Sequence, residues 1–215
     1  MDIKVPVRLA KVDKLGNIYI VDIKNRLIKY DNTYTELYRY ANNKHGFIST
    51  IDVSNPLRIV LFYDDFNQVR ILDNTLSVIS ELDLSQQFLD ASACGVSNDG
   101  NLWVYDAVQF KLFKISDQGR QLIVSDNVGS FGMAGMHISE ILESDNIVVL
   151  CDYTRGFWFF DNFGRYVYHF PVQGVNSFQF DGKLVIYYTG TGLKTFSIQQ
   201  KERQILAISS VPKTD

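Results

Sequence analysis

In 215 residues the chain has only two cysteines, four prolines and three histidines. Two thiols cannot build the multi-bridge framework of a small secreted scaffold. Cys94 and Cys151 fall in apolar, strand-like stretches of different repeats and are expected as buried free thiols, which decide nothing about compartment. Cations are never concentrated: no Lys/Arg run exceeds a pair and the formal net charge is −3. That excludes a phosphate-tracking surface, and nucleic acid with it. No apolar stretch approaches the roughly 20 residues that a membrane helix requires, so no integral membrane segment is expected. No stretch combines a 3.6-residue apolar period with helix caps. Also missing are Gly-x-Ser-x-Gly, His-Glu-x-x-His, Cys-x-x-Cys and a phosphate-binding glycine loop. No cofactor is expected, and His45, His137 and His169 are too isolated to argue for a metal. The chain opens directly into strand-like sequence, as one trimmed of an export signal would; export to a periplasm or the outside is an expectation that the upstream residues would settle.

What the sequence has in abundance is aromatic and β-branched residues, with 15 Phe and 12 Tyr, and these favour strands. One phrase recurs: Gly16-Asn-Ile-Tyr-Ile-Val-Asp22, Leu57-Arg-Ile-Val-Leu-Phe-Tyr-Asp64, Gly100-Asn-Leu-Trp-Val-Tyr-Asp106, Asp145-Asn-Ile-Val-Val-Leu-Cys-Asp152 and Gly182-Lys-Leu-Val-Ile-Tyr-Tyr-Thr189. The closing positions 22, 64, 106, 152 and 189 are 42, 42, 46 and 37 apart, the length of a four-stranded propeller blade. Each unit reads as strands A to D outward from an axis, with Gly, Asn and Asp in the turns. Strand B is apolar throughout, as expected where neighbouring blades cover both faces. The expected fold is all-β, one five-bladed β-propeller domain over residues 1–215, with blades at about 8–41, 48–84, 92–126, 137–172 and 177–209. Residues 2–7 are long enough to pair with Gln204 to Ser209 as a closing strap.

Asp13-Lys-Leu-Gly-Asn-Ile-Tyr-Ile-Val-Asp22 and Asn98-Asp-Gly-Asn-Leu-Trp-Val-Tyr-Asp106 resemble the blades of NHL and related six-bladed propellers, and the likeness spans nearly the whole chain. It extends to small uncharacterised propeller proteins of bacteria, often exported. The resemblance implies fold and no particular activity.

Asp22, Asp64, Asp106 and Asp152 form a column that suggests a metal site, but sheets packed about 10 Å apart cannot bring them within the 2.3–2.6 Å of one calcium ion. They are expected to cap their own B–C loops. In five-bladed glycosidases acids project from the innermost strands. Here strand A offers Lys11, Asp52 and Glu140, expected as a hydrated channel with a Lys11 to Asp52 pair. The B–C loops and the D-to-A crossovers share one face. It gathers His45, Phe47, Asp65, Phe66, Phe88, Phe110, Phe131, Met133, Met136, Tyr153 and Arg155, with the Gly- and Met-rich crossover 126–136 expected to be mobile and adaptable. The expected function is therefore non-catalytic: a soluble, monomeric binding module that presents this face to a protein or peptide. A glycan-binding lectin is the alternative, and a hydrolase using Asp52 and Glu140 a third.

Overall fold

The computed structural model describes residues 3–42, 44–200 and 202–205. Twenty strands form five antiparallel four-stranded sheets, each ordered as in the sequence. Blade 1 is β1 (Val7–Val12), β2 (Ile18–Asp22), β3 (Arg26–Tyr30) and β4 (Glu36–Ala41). Blade 2 is β5 (Thr50–Asp52), β6 (Ile59–Tyr63), β7 (Gln68–Leu72) and β8 (Val78–Asp83). Blade 3 is β9 (Ala91–Val96), β10 (Leu102–Asp106), β11 (Lys111–Ile115) and β12 (Gln121–Val124). Blade 4 is β13 (Glu140–Ser144), β14 (Ile147–Asp152), β15 (Gly156–Asp161) and β16 (Tyr166–Pro171). Blade 5 is β17 (Ser177–Phe180), β18 (Leu184–Tyr188), β19 (Leu193–Ser197) and β20 (Glu202–Ile205). The arrangement is the five-bladed β-propeller that the repeat implies.

The recurring turn residues act through one device. The carboxylate of Asp13 accepts from the amides of Leu15 and Asn17, that of Asp31 from Thr33 and Thr35, that of Asp73 from Thr75 and Ser77, and that of Asp161 from Phe163 and Arg165. This side-chain turn replaces ladder bonds that the reversing backbone cannot make. Beside each C–D turn of blades 1 to 4 the pairing slips by one residue, at Lys29/Tyr30, Ile71/Leu72, Lys114/Ile115 and Phe159/Phe160. Blade 5, where the sequence substitutes Ser197 for the turn aspartate, has no such bulge.

Strand alternation explains the continuous apolar run of strand B. Ile59, Leu61 and Tyr63 face blade 1, whereas Val60 and Phe62 face blade 3. Trp103 and Tyr105 meet Val148 and Leu150 at the next junction, and Phe157 and Phe159 meet Val185 and Tyr187 at the one after. Each fully buried Phe or Leu contributes about 2 kcal/mol of transfer free energy. Cys94 and Cys151 are buried free thiols.

The junction of blade 5 with blade 1 differs. Among the described residues no buried apolar cluster joins the two; Ile20, Ile28 and Tyr30 are covered instead by Ile3 and Val5. The strap is corrected in part. Residues 3–6 form no strand, because their apolar side chains lie on the face of blade 1, and Pro6 accepts from the Ile23 amide. Residues 206–209 of the expected pairing lie outside the described residues.

Candidate functional site

The aspartate column holds the loop face together. The Asp22 carboxylate accepts from the amides of Lys24 and Arg26 and pairs with the Arg26 guanidinium. Asp106 accepts from Val108 and Gln109 with one oxygen and from Leu89 with the other; Asp152 accepts from Thr154 and Arg155, and with its second oxygen from His137. The last two aspartates therefore bolt each incoming crossover to its own B–C loop, a role beyond the local caps expected. Asp64 is exposed, and bonds the Ser49 hydroxyl and the Asp65 amide.

Burial works to raise the carboxyl pKa of Asp106, but bonds from Gln109, Leu89 and Val108 outweigh it and hold the group below the ordinary range. A depressed carboxylate stabilises the fold above its unfolded-state pKa, about 3.9, and this contribution drains as pH falls through the lower folded-state value. Asp106→Asn should cost about 2 kcal/mol at pH 7. Urea midpoints at pH 7 and pH 3 should show the deficit shrinking at the acid end; a deficit equal at both would contradict the assignment.

On this scaffold the eleven candidate residues separate. Phe88 is buried between blades 2 and 3, and Met133 and Met136 between blades 3 and 4, so none of the three is available to a partner. The crossover is clamped: Val128 and both methionines are buried, the Val128 amide bonds the Phe110 carbonyl, and Asn127 caps the short 3-10 turn Val128–Phe131. Its methionines act as plugs between blades and are not the adaptable contact surface expected of them. Phe110 is half-buried against the same core, and Tyr153 is half-buried with its hydroxyl on Glu140.

Two exposed groups remain. Over blades 1 and 2, His45 packs edge-on to Phe66 and bonds Arg70, Phe47 lies under the Arg8 guanidinium, and Asp65 is solvent-exposed beside Phe66. Over blades 3 and 4, Phe131 stacks on Tyr166 at 4.7 Å and Arg155 bonds the Ala134 carbonyl.

Beside this second group lies a groove of about 620 Å³ that the sequence reading missed. Its walls include Thr154, Arg155, Trp158, His169, Gln173 and Lys194. His169 and Trp158 are stacked with ring centroids 3.9 Å apart. Burial lowers the imidazole pKa, against a weak bond with the Arg155 carbonyl. A Trp in β15, a His in β16 and a Lys in β19 share no spacing in the sequence.

At the axis, Lys11 pairs with Glu140, correcting the expected Lys11 to Asp52 pair. Asp52 is occupied by the amides of Ser54 and Val96, since it ends β5 where its carboxylate meets the end of β9. Lys11, Asp52 and Glu140 border a cleft of about 740 Å³ that runs into the blade 5 to blade 1 junction past Phe180, Ile186 and Tyr188. Burial raises the Glu140 carboxyl pKa, with Lys11 and the Tyr153 hydroxyl opposing.

No protein-family model and no curated protein matches the chain. Solved structures do. A streptogramin B lyase aligns with a TM-score of 0.66 at 15% identity, over 97% of this chain and 72% of its own. The WD40 domain of Pan2 from Neurospora crassa aligns with a TM-score of 0.69 at 9% identity, over 93% of this chain and 65% of its own. A protein of unknown function from Bacteroides caccae gives 0.61 at 10% identity, over 83% and 67%. The chain is a β-propeller. At these identities the likeness is one of fold, and a lyase and a WD40 domain on one propeller scaffold illustrate how little a fold says about activity. No helix among the described residues is long and apolar enough to cross a membrane.

Proposed function

We propose that this propeller is a non-catalytic binding module that presents its loop face to a protein or peptide. One observation carries the reading. Ile23, Phe47, Phe66, Leu89 and Val108 are each more than half exposed, Phe131 is nearly so, and all six lie on B–C loops or crossovers of one face. Buried aspartates pin several of these loops. Large apolar side chains held rigidly outward lose little entropy on docking, and aromatic anchors of this kind dominate interface energetics. The opposite face exposes fewer such side chains, Leu15, Tyr34, Leu57 and Phe163 on its hairpin turns. A hydrolytic reading would use Asp52 and Glu140; that Asp52 accepts from two amides and Glu140 bonds Lys11 and Tyr153 supports the non-catalytic reading.

The test is affinity capture from a lysate of the native host, with the wild type and a Phe66→Ser/Phe131→Ser variant as baits. Loss of two anchors should weaken the specific partner about 30-fold or more, with the thermal midpoint unchanged to within about 2 °C. Equal capture by both baits would place the contact elsewhere.

A further inference from the structure

The groove beside the crossover has an unusual charge. Its lining holds two cations, Arg155 and Lys194, and no carboxylate, in a chain whose acids outnumber its bases by 24 to 21. Among the described residues both cations bond neutral oxygens alone: Arg155 the Ala134 carbonyl at 3.2 Å, and Lys194 the hydroxyls of Thr189 at 2.8 Å and Thr191 at 3.4 Å. Among the described residues neither joins an ion pair. A second observation is independent of charge. The Trp158 indole, 1% exposed, lines the groove, and its buried N–H has no acceptor among the described residues. A buried donor left unpaired is destabilising, so an acceptor that reaches it from the groove would be favoured.

The backbone narrows the choice of anion. Capture of a free C-terminal carboxylate uses a nest of backbone N–H groups. Here the amides of Thr154 and Arg155 are already spent on Asp152, and that of Val172 on the Arg155 carbonyl. What the groove offers an anion is side-chain cations, beside an imidazole backed by the buried indole, and this suits an acidic side chain within a peptide. Its volume of about 620 Å³ is ample for a few residues.

We infer that the groove between crossover 126–136 and blades 4 and 5 docks an internal acidic segment of a partner protein, with an Asp or Glu side chain set between Arg155 and Lys194. This rests on the loop-face reading and names the chemistry that the face selects.

The experiment is a display library of random decapeptides, fused through their C-termini so that none ends in a free carboxylate, selected on the full chain. The enriched consensus should contain Asp or Glu. A fluorescein-labelled, C-amidated consensus peptide should bind Arg155→Gln/Lys194→Gln roughly tenfold more weakly than wild type, should lose a similar factor when its acid becomes the amide, and should weaken with salt. An acid-free consensus overturns the inference, as do the absence of any enriched sequence, unchanged binding by the double variant, or tighter binding of the acid-free peptide once its C-terminus is freed. The two readings fail separately. Equal capture by wild type and the Phe66→Ser/Phe131→Ser bait removes the loop-face reading, whereas an acid-independent library result beside normal loss of capture removes only the anionic groove.

Discussion

Replacing Gly95 with alanine is expected to cost about 3 kcal/mol or more, because overpacking against a rigid neighbour sits at the upper end of core substitutions, and so to lower the thermal midpoint by roughly 6–12 °C. Gly95 lies in β9, opposite Trp103. A Cβ built there would stand 2.2 Å from the backbone oxygen of Ile141 in β13, 3.0 Å from its carbonyl carbon and 3.1 Å from its Cβ. The nearest obstacle is backbone inside an innermost strand, which cannot swing aside as a side chain tip would. The backbone of Gly95 is not in the left-handed region, so alanine suits its local conformation. Without the clash, the substitution would stabilise the protein by about 0.4–1 kcal/mol through the unfolded chain. The sign of the measured change therefore decides whether blades 3 and 4 approach this closely; a neutral or raised midpoint would refute the packing. Packing tighter than a methyl group allows also explains a glycine inside a strand, where it weakens strand propensity.

The blades were readable from the sequence because each carries its own local signals. Asp13, Asp31, Asp73 and Asp161 turn the chain through bonds two and four residues away, and the apolar run of strand B reports burial on both faces. Contacts made across blades leave no such trace. The reach of Lys11 to Glu140, 129 positions along the chain, could not be told from a pairing with Asp52, since alternation gives the face of a strand and not which inward neighbour it meets. Met133 and Met136 illustrate the same limit: in a Gly-rich loop they read as adaptable surface, yet the loop folds inward and they fill the junction between blades 3 and 4. The groove of Arg155, Trp158, His169 and Lys194 draws on three strands and a loop, so only the assembled blades bring it together.

Lys11→Met is expected to destabilise the fold by about 3 kcal/mol at neutral pH, the lower end for breaking a buried pair, because one partner keeps partial access to water: the Lys11 side chain is 27% exposed and that of Glu140 7%. Without the ammonium, the Glu140 carboxylate keeps, among the described residues, the Tyr153 hydroxyl alone, at 3.1 Å. In the wild type, burial first, and the nearby Asp52 charge after it, already lift the Glu140 pKa above its ordinary 4.5, with Lys11 opposing. Removing Lys11 lifts it further. A carboxyl whose folded-state pKa is raised holds its proton more tightly folded than unfolded. Its contribution to stability is complete below the unfolded-state value and is lost as pH rises through the folded-state value. The deficit of Lys11→Met relative to wild type should therefore be small near pH 4 and grow towards pH 7, in urea midpoints taken at both. Adding Glu140→Gln should recover most of the loss at pH 7, since the amide needs no counter-ion. A deficit independent of pH, or one that Glu140→Gln leaves untouched, would mean that Lys11 stabilises the axis through its aliphatic stem and not through the charge it brings from blade 1 to blade 4.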